Sequence, residues 1–247
     1  MTPPVFLVPP GSAVEAGGRL AVTGDEGRHA VTVRRLAVGA AVECVDGHGW
    51  RATGVVAAVA GRDRFEVLVE QTTVEPAPEP RVLVVQAVPK GDRGELAVET
   101  LTEVGVDVVV PWAAARCVAR WRGERVAKGV ARWRRAAREA AKQARRARVP
   151  EVLELADTAD VVTLLGTASR ALVLHEAAAL RLASMAIPST GDVVLVVGPE
   201  GGLTDAEVTA FEAAGALSCR LGSSVLRTST AGTAAAAVVL AASGRWH

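Results

Sequence analysis

A glycine-rich turn between a strand and a helix is the part of this chain best suited to bind a small molecule. The turn lies within VVLVVGPEGGLTDAEV, residues 193–208. The apolar run before it predicts a buried strand, and Thr204 with Glu207 fits a helix capping box. Because ligands of α/β sheets bind beyond the carboxyl ends of strands, we expect a ligand at this turn. The alternative is a tight turn that needs glycine for its backbone alone.

The composition of the turn argues against a nucleoside triphosphate as the ligand. The sequence contains no G-x-x-x-x-G-K-[ST] phosphate loop, and the turn does not follow G-x-G-x-x-G. Glu200 within the turn repels phosphate groups but tolerates a cation such as a sulfonium. A nucleoside triphosphate is therefore not the expected ligand, whereas a cationic small molecule is compatible with the turn.

A second segment able to do chemistry is LGSSVLRTSTAGTAAAAVVLAA, residues 221–242. A loop of Gly, Ser and Thr precedes a run of small apolar residues, which predicts a helix without a polar face. The run is shorter than the roughly 18 to 20 residues needed to cross a bilayer. Arg227 is the only charged residue between Arg220 and Arg245. It is either a solvated loop side chain or a clamp for a carboxylate, a phosphate or a developing oxyanion.

Positive charge is concentrated in one segment. Residues 116–148 contain 13 basic and two acidic residues, although the net charge of the whole chain is +1. Residues 131–147 are rich in Ala and basic residues and lack Gly and Pro, which predicts a helix with cations on several faces. A polyanion is the expected partner, and a solvated basic face is the alternative. Trp121 and Trp133 are either base-stacking residues or core anchors.

These motifs resemble those of the RsmE family, bacterial methyltransferases of the SPOUT superfamily that modify a uridine of 16S ribosomal RNA at N3. The segments GPEGGLTDAEV and LGSSVLRTSTAGTAAAAVVLAA correspond to the two signature motifs of that family. PKGDRGE, TEVGVDVVVPW, RWRRAAREAAKQARRARVPEV and LVLHE also have counterparts, so the resemblance spans nearly the whole chain. It implies S-adenosylmethionine as cofactor, 16S rRNA of the small ribosomal subunit as partner, and a homodimer with a trefoil-knotted C-terminal domain.

The motif loops supply the candidate site residues. N3 of neutral uracil carries a proton, so methylation requires a group that accepts this proton or stabilises the charge on the uracil oxygens. Arg227 is the expected oxyanion stabiliser, with Glu200 or His175 as proton acceptor. The expected cofactor-binding residues are Leu174, His175, Gly198, Pro199, Glu200, Gly201, Gly202, Leu221, Gly222, Val225, Leu226 and Thr228. The expected RNA-binding residues are His29, Arg35, Lys90, Arg93, Arg132, Arg135, Arg138, Lys142 and Arg145.

Three positions depart from the family pattern. Ser224 stands where the family commonly has an arginine, Ser229 where it has a glutamate, and Thr100 where it often has a lysine. Roles assigned to those side chains elsewhere do not transfer to this chain. Two alternatives stay open: a non-catalytic RNA-binding or ribosome-assembly protein with a SPOUT fold, and a SPOUT methyltransferase that acts on another RNA. For His29, a structural role is as reasonable as an RNA contact.

Composition limits the class of protein. A chain of 247 residues, half of them hydrophobic, suits one large or two modest domains. Cys44, Cys117 and Cys219 lie far apart without a C-x-x-C motif, which argues against a disulfide framework or a zinc site. We expect reduced thiols and a cytoplasmic protein that binds no metal. The first residues do not resemble a signal peptide, and we expect no contact with a membrane.

The sequence pattern changes near residue 75. Before it, short apolar or alternating runs separated by Gly, Asp and His predict a small β-barrel. After it, apolar strands alternate with helices, which predicts an α/β domain with a mostly parallel sheet. We expect a domain at residues 1–74, PUA-like according to the resemblance, and a SPOUT methyltransferase domain at residues 75–247. The predicted strands are residues 40–45, 52–60, 64–70, 82–85, 106–110, 152–155, 171–175, 192–197 and 219–221, and two further predicted helices are 94–105 and 157–168.

Overall fold

A computed structural model describes residues 2–246, which divide into two compact units. One unit runs up to Ala77 and takes in Ala141–Val149, and the other comprises Pro78–Ala140 and the chain from Pro150 onward. Across the described residues, no helix combines the length and the apolar character that a bilayer crossing requires.

The first unit is built on a five-stranded mixed sheet. Its strands are β1 Val5–Leu7, β2 Arg19–Val22, β3 Ala41–Val45, β4 Trp50–Ala60 and β5 Arg64–Val74, in the order β1-β3-β4-β5-β2. The β1–β3 pair is parallel and the other pairs are antiparallel. The strands predicted at residues 40–45, 52–60 and 64–70 are confirmed as β3, β4 and β5. Strands β1 and β2 were not predicted, because three or four residues are too few for a periodic signal.

Helical turns and a buried cluster complete this unit. Helix α1, Gly24–Arg28, continues into a π-helical turn, His29–Val33, between β2 and β3. The core forms where alternate strand residues point inward, and Phe6 packs edge-on against Phe65 with ring centroids 5.1 Å apart.

The second unit contains a seven-stranded sheet in which all neighbouring strands are parallel. Its strands are β6 Arg81–Ala87, β7 Val108–Trp112, β8 Glu151–Val152, β9 Arg170–Leu174, β10 Leu180–Arg181, β11 Asp192–Val197 and β12 Leu217–Arg220, in the order β10-β12-β9-β11-β6-β7-β8. The central strands β6 and β11 are buried on both faces, which explains their unbroken apolar sequence. The predicted mostly parallel α/β sheet is confirmed.

Five helices connect or follow the strands of this sheet, and the last residues of one of them, α3, belong to the first unit. They are α2 Arg93–Val104, α3 Glu124–Gln143, α4 Thr158–Thr167, α5 Asp205–Ala213 and α6 Thr228–Ala242. The capping box of α5 is confirmed: Thr204 Oγ1 accepts the Glu207 N–H at 3.2 Å, and the Glu207 carboxylate accepts the Thr204 N–H at 2.8 Å. Helix α6 buries one side against α2, β6 and β11.

Several predicted boundaries were wrong. The basic helix α3 begins seven residues before the predicted residue 131 and ends four before residue 147. Its start was hidden by Gly129, which a helix tolerates at a cost of about 1 kcal/mol. The strand predicted at residues 106–110 lies two residues further on, and β8 ends at Val152 instead of residue 155. Leu153 and Leu155 still pack on the core, so their apolar character did not distinguish strand from loop.

Candidate active site

Three loops meet at one edge of the parallel sheet. Strands β9, β11 and β12 are parallel and adjacent, so their carboxyl ends lie side by side. The loops that follow them, residues 174–176, 198–202 and 221–228, line a common cavity of about 360 Å³. The topology thus brings together three segments that the sequence analysis had singled out separately.

Nearly all the predicted cofactor-binding residues line this cavity. They are Leu174, His175, Gly198, Pro199, Glu200, Gly202, Leu221, Gly222, Val225, Leu226 and Thr228, together with Arg227. Gly201 is not among the lining residues. A β-carbon built at Gly201 would approach Arg116, at 3.1 Å from its β-carbon. Glu176 and Ser224, which lie within the loops predicted for the cofactor, also line the cavity. Lining residues outside those loops are Arg93, Val197, Leu203, Cys219, Arg220 and Ala231.

The two proposed catalytic side chains differ in how firmly they are held. The Glu200 carboxylate accepts the backbone N–H of Lys90 at 3.3 Å, which directs one of its oxygens. Arg227 lies at the N-cap position of α6, and its exposed guanidinium makes no hydrogen bond or ion pair with residues 2–246. An arginine without a protein partner at the rim of a cavity is available to bind an anionic group.

His175 is less suited than Glu200 to accept a proton. Its Nδ1 accepts the N–H of Ala177 at 3.2 Å, so in the neutral ring the proton sits on Nε2. The Nδ1 lone pair, which is the one that could take up a proton in this tautomer, is therefore already occupied by the Ala177 N–H. The structure therefore favours a role for His175 in shaping the cavity wall over a role as base.

Comparison with known proteins decides the family. The chain matches a model described as an RNA methyltransferase domain over residues 76–240 and one described as an RNA methyltransferase PUA domain over residues 22–70. The protein named Ribosomal RNA small subunit methyltransferase E in Mycobacterium bovis is 44% identical over 236 residues, which cover 94% of this chain and 90% of that protein.

The chain belongs to the ribosomal RNA small subunit methyltransferase E family. Solved structures agree with this assignment. A putative methyltransferase from Legionella pneumophila in complex with SAM has a TM-score of 0.86 and 26% identity over 98% of both chains. A ribosomal RNA small subunit methyltransferase E from Neisseria gonorrhoeae bound to S-adenosyl methionine has a TM-score of 0.85 and 25% identity, covering 97% of this chain and 98% of that one.

The family assignment confirms the resemblance on which the sequence analysis depended. The PUA-like first region and the SPOUT-type α/β fold of the second are confirmed with it. The trefoil knot stays a prediction.

The three residues that depart from the family pattern lie in different surroundings. Thr100 Oγ1 and Thr233 Oγ1 lie 2.7 Å apart in a hydrogen bond between α2 and α6. Ser229 is buried at the start of α6, whereas Ser224 lies exposed on the cavity wall.

Arg116 is a site residue of this family member that the sequence analysis missed. Its guanidinium donates to the carbonyls of Gly201 and Leu203 at 3.3 and 2.9 Å. The neighbouring Ala115 N–H donates to the buried Glu207 carboxylate at 2.8 Å. These contacts hold the glycine turn from outside the cavity. The available signal was position, since Arg116 follows the carboxyl end of β7 at the same edge of the sheet.

We expect Arg116→Ala to weaken ligand binding in the cavity without preventing folding. Loss of two hydrogen bonds from a charged donor lets the turn move, and we expect about 10-fold weaker cofactor binding by calorimetry. Turnover at saturating cofactor should change less than the affinity does. A variant with unchanged affinity would show that the turn holds its shape without Arg116.

Gln86 is a second residue that sequence reasoning missed. It is only 1% exposed near the end of β6, and its amide donates to the carbonyl of Thr228 at 3.3 Å and to that of Ala87 at 3.2 Å. A β-carbon at Gly232 would lie 3.4 Å from its Oε1, so α6 passes close above it. Gln86 thereby ties the first residue of α6 to the central strand. A single polar residue in an apolar strand was the available signal.

The three cysteines are buried thiols, not nucleophiles. Burial raises the pKa of Cys44 to about 12 and that of Cys219, on the cavity wall, to about 11. Burial is also the main cause of the raised pKa of Cys117. A raised thiol pKa in the folded state means less thiolate at any pH below that value.

We therefore expect the native protein to resist alkylation by iodoacetamide at pH 8. All three thiols should react once the chain is unfolded in guanidinium, because their pKa values then return to the ordinary value near 8.5. Mass spectrometry counts the adducts. Rapid modification of Cys219 in the folded protein would contradict the burial described above.

The predicted RNA-binding residues fall into separate groups. Lys90 lies between β6 and α2, and Arg93 is the first residue of α2. Arg132, Arg135 and Arg138 are exposed on α3. In the first unit, Arg35 is exposed with φ of 52°. His29 is half-buried there, and its Nε2 accepts a hydrogen bond from Arg34 Nε at 3.3 Å, which favours its structural alternative.

Lys142 and Arg145 have structural contacts that weaken the case for RNA binding. The Lys142 ammonium is 2.9 Å from the Glu26 carboxylate, and its side chain is only 10% exposed. Arg145 pairs with Glu43 and donates to the carbonyl of Pro3 at 2.7 Å. Both contacts lie within the first unit and help to hold the segment Ala141–Val149 in it. A cation whose charge is already paired contributes less to binding a polyanion.

Proposed function

We propose that this chain transfers the methyl group of S-adenosylmethionine to N3 of a uridine in 16S rRNA of the small ribosomal subunit. The observation that carries the proposal is the convergence of three loops on one cavity, in a chain that belongs to the methyltransferase E family. Two similar solved structures contain S-adenosylmethionine, which supports the choice of cofactor.

The cavity has the composition that S-adenosylmethionine requires. Its volume of about 360 Å³ falls in the range of small-molecule sites, about 300 to 1,000 Å³. Apolar side chains can cover the faces of an adenine, while backbone groups near Gly198 and Gly222 remain open to its polar edge. The apolar lining residues are Leu174, Val197, Leu203, Leu221, Val225 and Leu226. The carboxylates of Glu176 and Glu200 suit a positively charged sulfonium.

Residues of the chain supply the remaining chemistry. When bound, S-adenosylmethionine supplies a methyl group carried on a positively charged sulfur. Glu200, directed by the Lys90 N–H, accepts the proton of uracil N3. Arg227 donates hydrogen bonds to a uracil oxygen, where negative charge develops as the proton leaves. The unpaired guanidinium of Arg227 in the described structure suits this role, because no ion pair must be broken.

RNA binding in this proposal uses both units. The PUA-like unit and the cations of α3 together contact the phosphate backbone, with Arg132, Arg135 and Arg138 more exposed than Lys142. Lys90 and Arg93 act nearer the cavity, since Arg93 lines it.

We also propose that the chain works in the cytoplasm as a homodimer. The family resemblance implies the dimer.

One assay tests the proposed function against its alternatives. The full-length protein is incubated with methyl-labelled S-adenosylmethionine and small ribosomal subunits that lack the modification, and the labelled nucleoside is mapped by mass spectrometry. We expect label in N3-methyluridine of 16S rRNA. Cofactor binding without any transfer would favour a non-catalytic RNA-binding protein, and transfer only to another RNA would favour a different SPOUT methyltransferase.

A further inference from the structure

A second and larger cleft lies beside the candidate active site in the same unit. It has a volume of about 910 Å³ and is bounded by the start of α2, by α3 and by the segment that precedes α3. Its wall carries five cationic side chains and a single carboxylate, that of Glu95. The cations are Arg120, Arg125, Lys128, Arg132 and Arg135. An open cleft with this balance attracts a polyanion.

Most of this positive charge is not neutralised by the protein. The guanidinium groups of Arg120, Arg125 and Arg135 make no hydrogen bond or ion pair with residues 2–246. Among residues 2–246, Lys128 pairs with Glu124 alone, at 3.2 Å and with both side chains largely exposed. Such a pair is weak in water. Arg132 lies 3.2 Å from Glu95. The cleft therefore retains free cations for phosphate groups.

An indole ring is fixed on the wall of the cleft. Trp121 is half-buried, and a β-carbon at Gly129 of α3 would lie only 2.6 Å from its ring atoms. Only glycine allows the ring to lie this close to the helix. Trp121 also meets the fully buried Trp133 edge-on, with ring centroids 5.3 Å apart. Trp133 is thus a core anchor, one of the two alternatives that the sequence left open. Trp121 packs partly against the apolar core and leaves the rest of its ring on the cleft wall.

The cleft borders the active-site cavity through one short segment. Pro89, Gly91 and Gly94 line the cleft, whereas Arg93 lines the cavity. Within the same segment, the Lys90 N–H donates to Glu200. A strand of RNA that places one base at Glu200 can therefore continue along this segment into the cleft.

We propose that this cleft binds a nucleotide adjacent to the target in a single-stranded stretch of RNA, with its base stacked on Trp121 and its phosphates on the cations. The proposal rests on the proposed function for the class of substrate. Sequence-tolerant binding of single strands combines these two features, an aromatic platform and a basic groove. Duplex RNA keeps its bases stacked internally and offers only its phosphates and minor groove.

The test compares Trp121→Leu and Trp121→Phe in the full-length protein. The probe is a short fluorescein-labelled single-stranded oligouridylate, and anisotropy gives its Kd over a range of salt concentrations. Leucine fills the apolar space against Gly129 but cannot stack, so we expect about 10-fold weaker binding, within the range for one stacked base. Phenylalanine should restore most of the affinity. The slope of log K against log salt should stay unchanged in Trp121→Leu and decrease by about one in Arg125→Ala.

Controls separate stacking from stability and from the proposed function. Trp246→Leu removes another half-exposed indole outside the cleft and should bind the oligouridylate like the parent. Melting temperature and calorimetric affinity for S-adenosylmethionine report whether Trp121→Leu is folded. A folded Trp121→Leu protein with parental affinity, or an equal loss of affinity for duplex RNA, would overturn the proposal. Failure of the parent protein to methylate 16S rRNA is a separate result, since oligouridylate binding requires no methyl transfer.

Discussion

Arg227→Ala is expected to reduce methyl transfer by about 100- to 1,000-fold, the loss typical of removing one donor to a developing oxyanion. Cofactor affinity should change little, because the Arg227 guanidinium makes no contact that holds the described cavity walls together. Radiolabelled transfer to small subunits measures the rate, and calorimetry with S-adenosylmethionine measures the affinity. Arg227→Lys should fall between the parent and the alanine variant, since lysine keeps the charge but loses the planar donor pair.

Arg181→Ala provides the matched control for this prediction. Arg181 is an exposed arginine of the same unit, on the edge strand β10 and outside the cavity lining. It should transfer methyl groups at the parental rate. Parental turnover in Arg227→Ala would remove Arg227 from the mechanism, while a parallel loss of cofactor binding would assign it to the cofactor instead.

Gly222→Leu is expected to weaken S-adenosylmethionine binding by at least about 100-fold, because a side chain there takes up space that the ligand needs in a preformed site. Gly222 lines the cavity, and a β-carbon at this position would meet no atom within 4 Å. The substitution therefore costs little in the free protein. Gly201→Val, the choice that the motif alone suggests, is a poorer probe, since its side chain would press on Arg116 instead.

Gly166→Leu is the control for steric effects unrelated to the cavity. Gly166 also faces open space, has no left-handed backbone and lies on α4 away from the cavity lining. This variant should bind the cofactor like the parent, with a similar melting temperature. If Gly222→Leu also keeps parental affinity, the loop of residues 221–228 does not contact the ligand.

The sequence was sufficient to predict the elements of the site but not the contacts that hold them. Strand β11 was predicted with its observed bounds because an apolar run ends there at a glycine turn, and the capping box fixed the start of α5. The clamp by Arg116 was not predictable from local pattern, since its acceptors are backbone carbonyls 85 and 87 positions away. Backbone acceptors leave no trace in the sequence.

The basic segment shows a second kind of limit. Its charge pattern predicted one solvated or RNA-binding helix, yet Lys142 and Arg145 pair with Glu26 and Glu43, more than 100 positions away. The same segment also supplies Arg125 and Arg135, whose side chains make no ion pair with the described chain. Local charge density therefore predicts a polyanion as partner, but only the fold separates the cations that are free to bind one from those already paired within the protein.

The most direct test of the account is a crystal structure of the protein grown with S-adenosylmethionine. We predict electron density for the cofactor in the cavity formed by residues 174–176, 198–202 and 221–228, with its sulfonium near Glu200 and Arg227 free to face the RNA. Density at another position, or an empty cavity at a saturating concentration of cofactor, would contradict the central claim that these three loops form the methyl donor site.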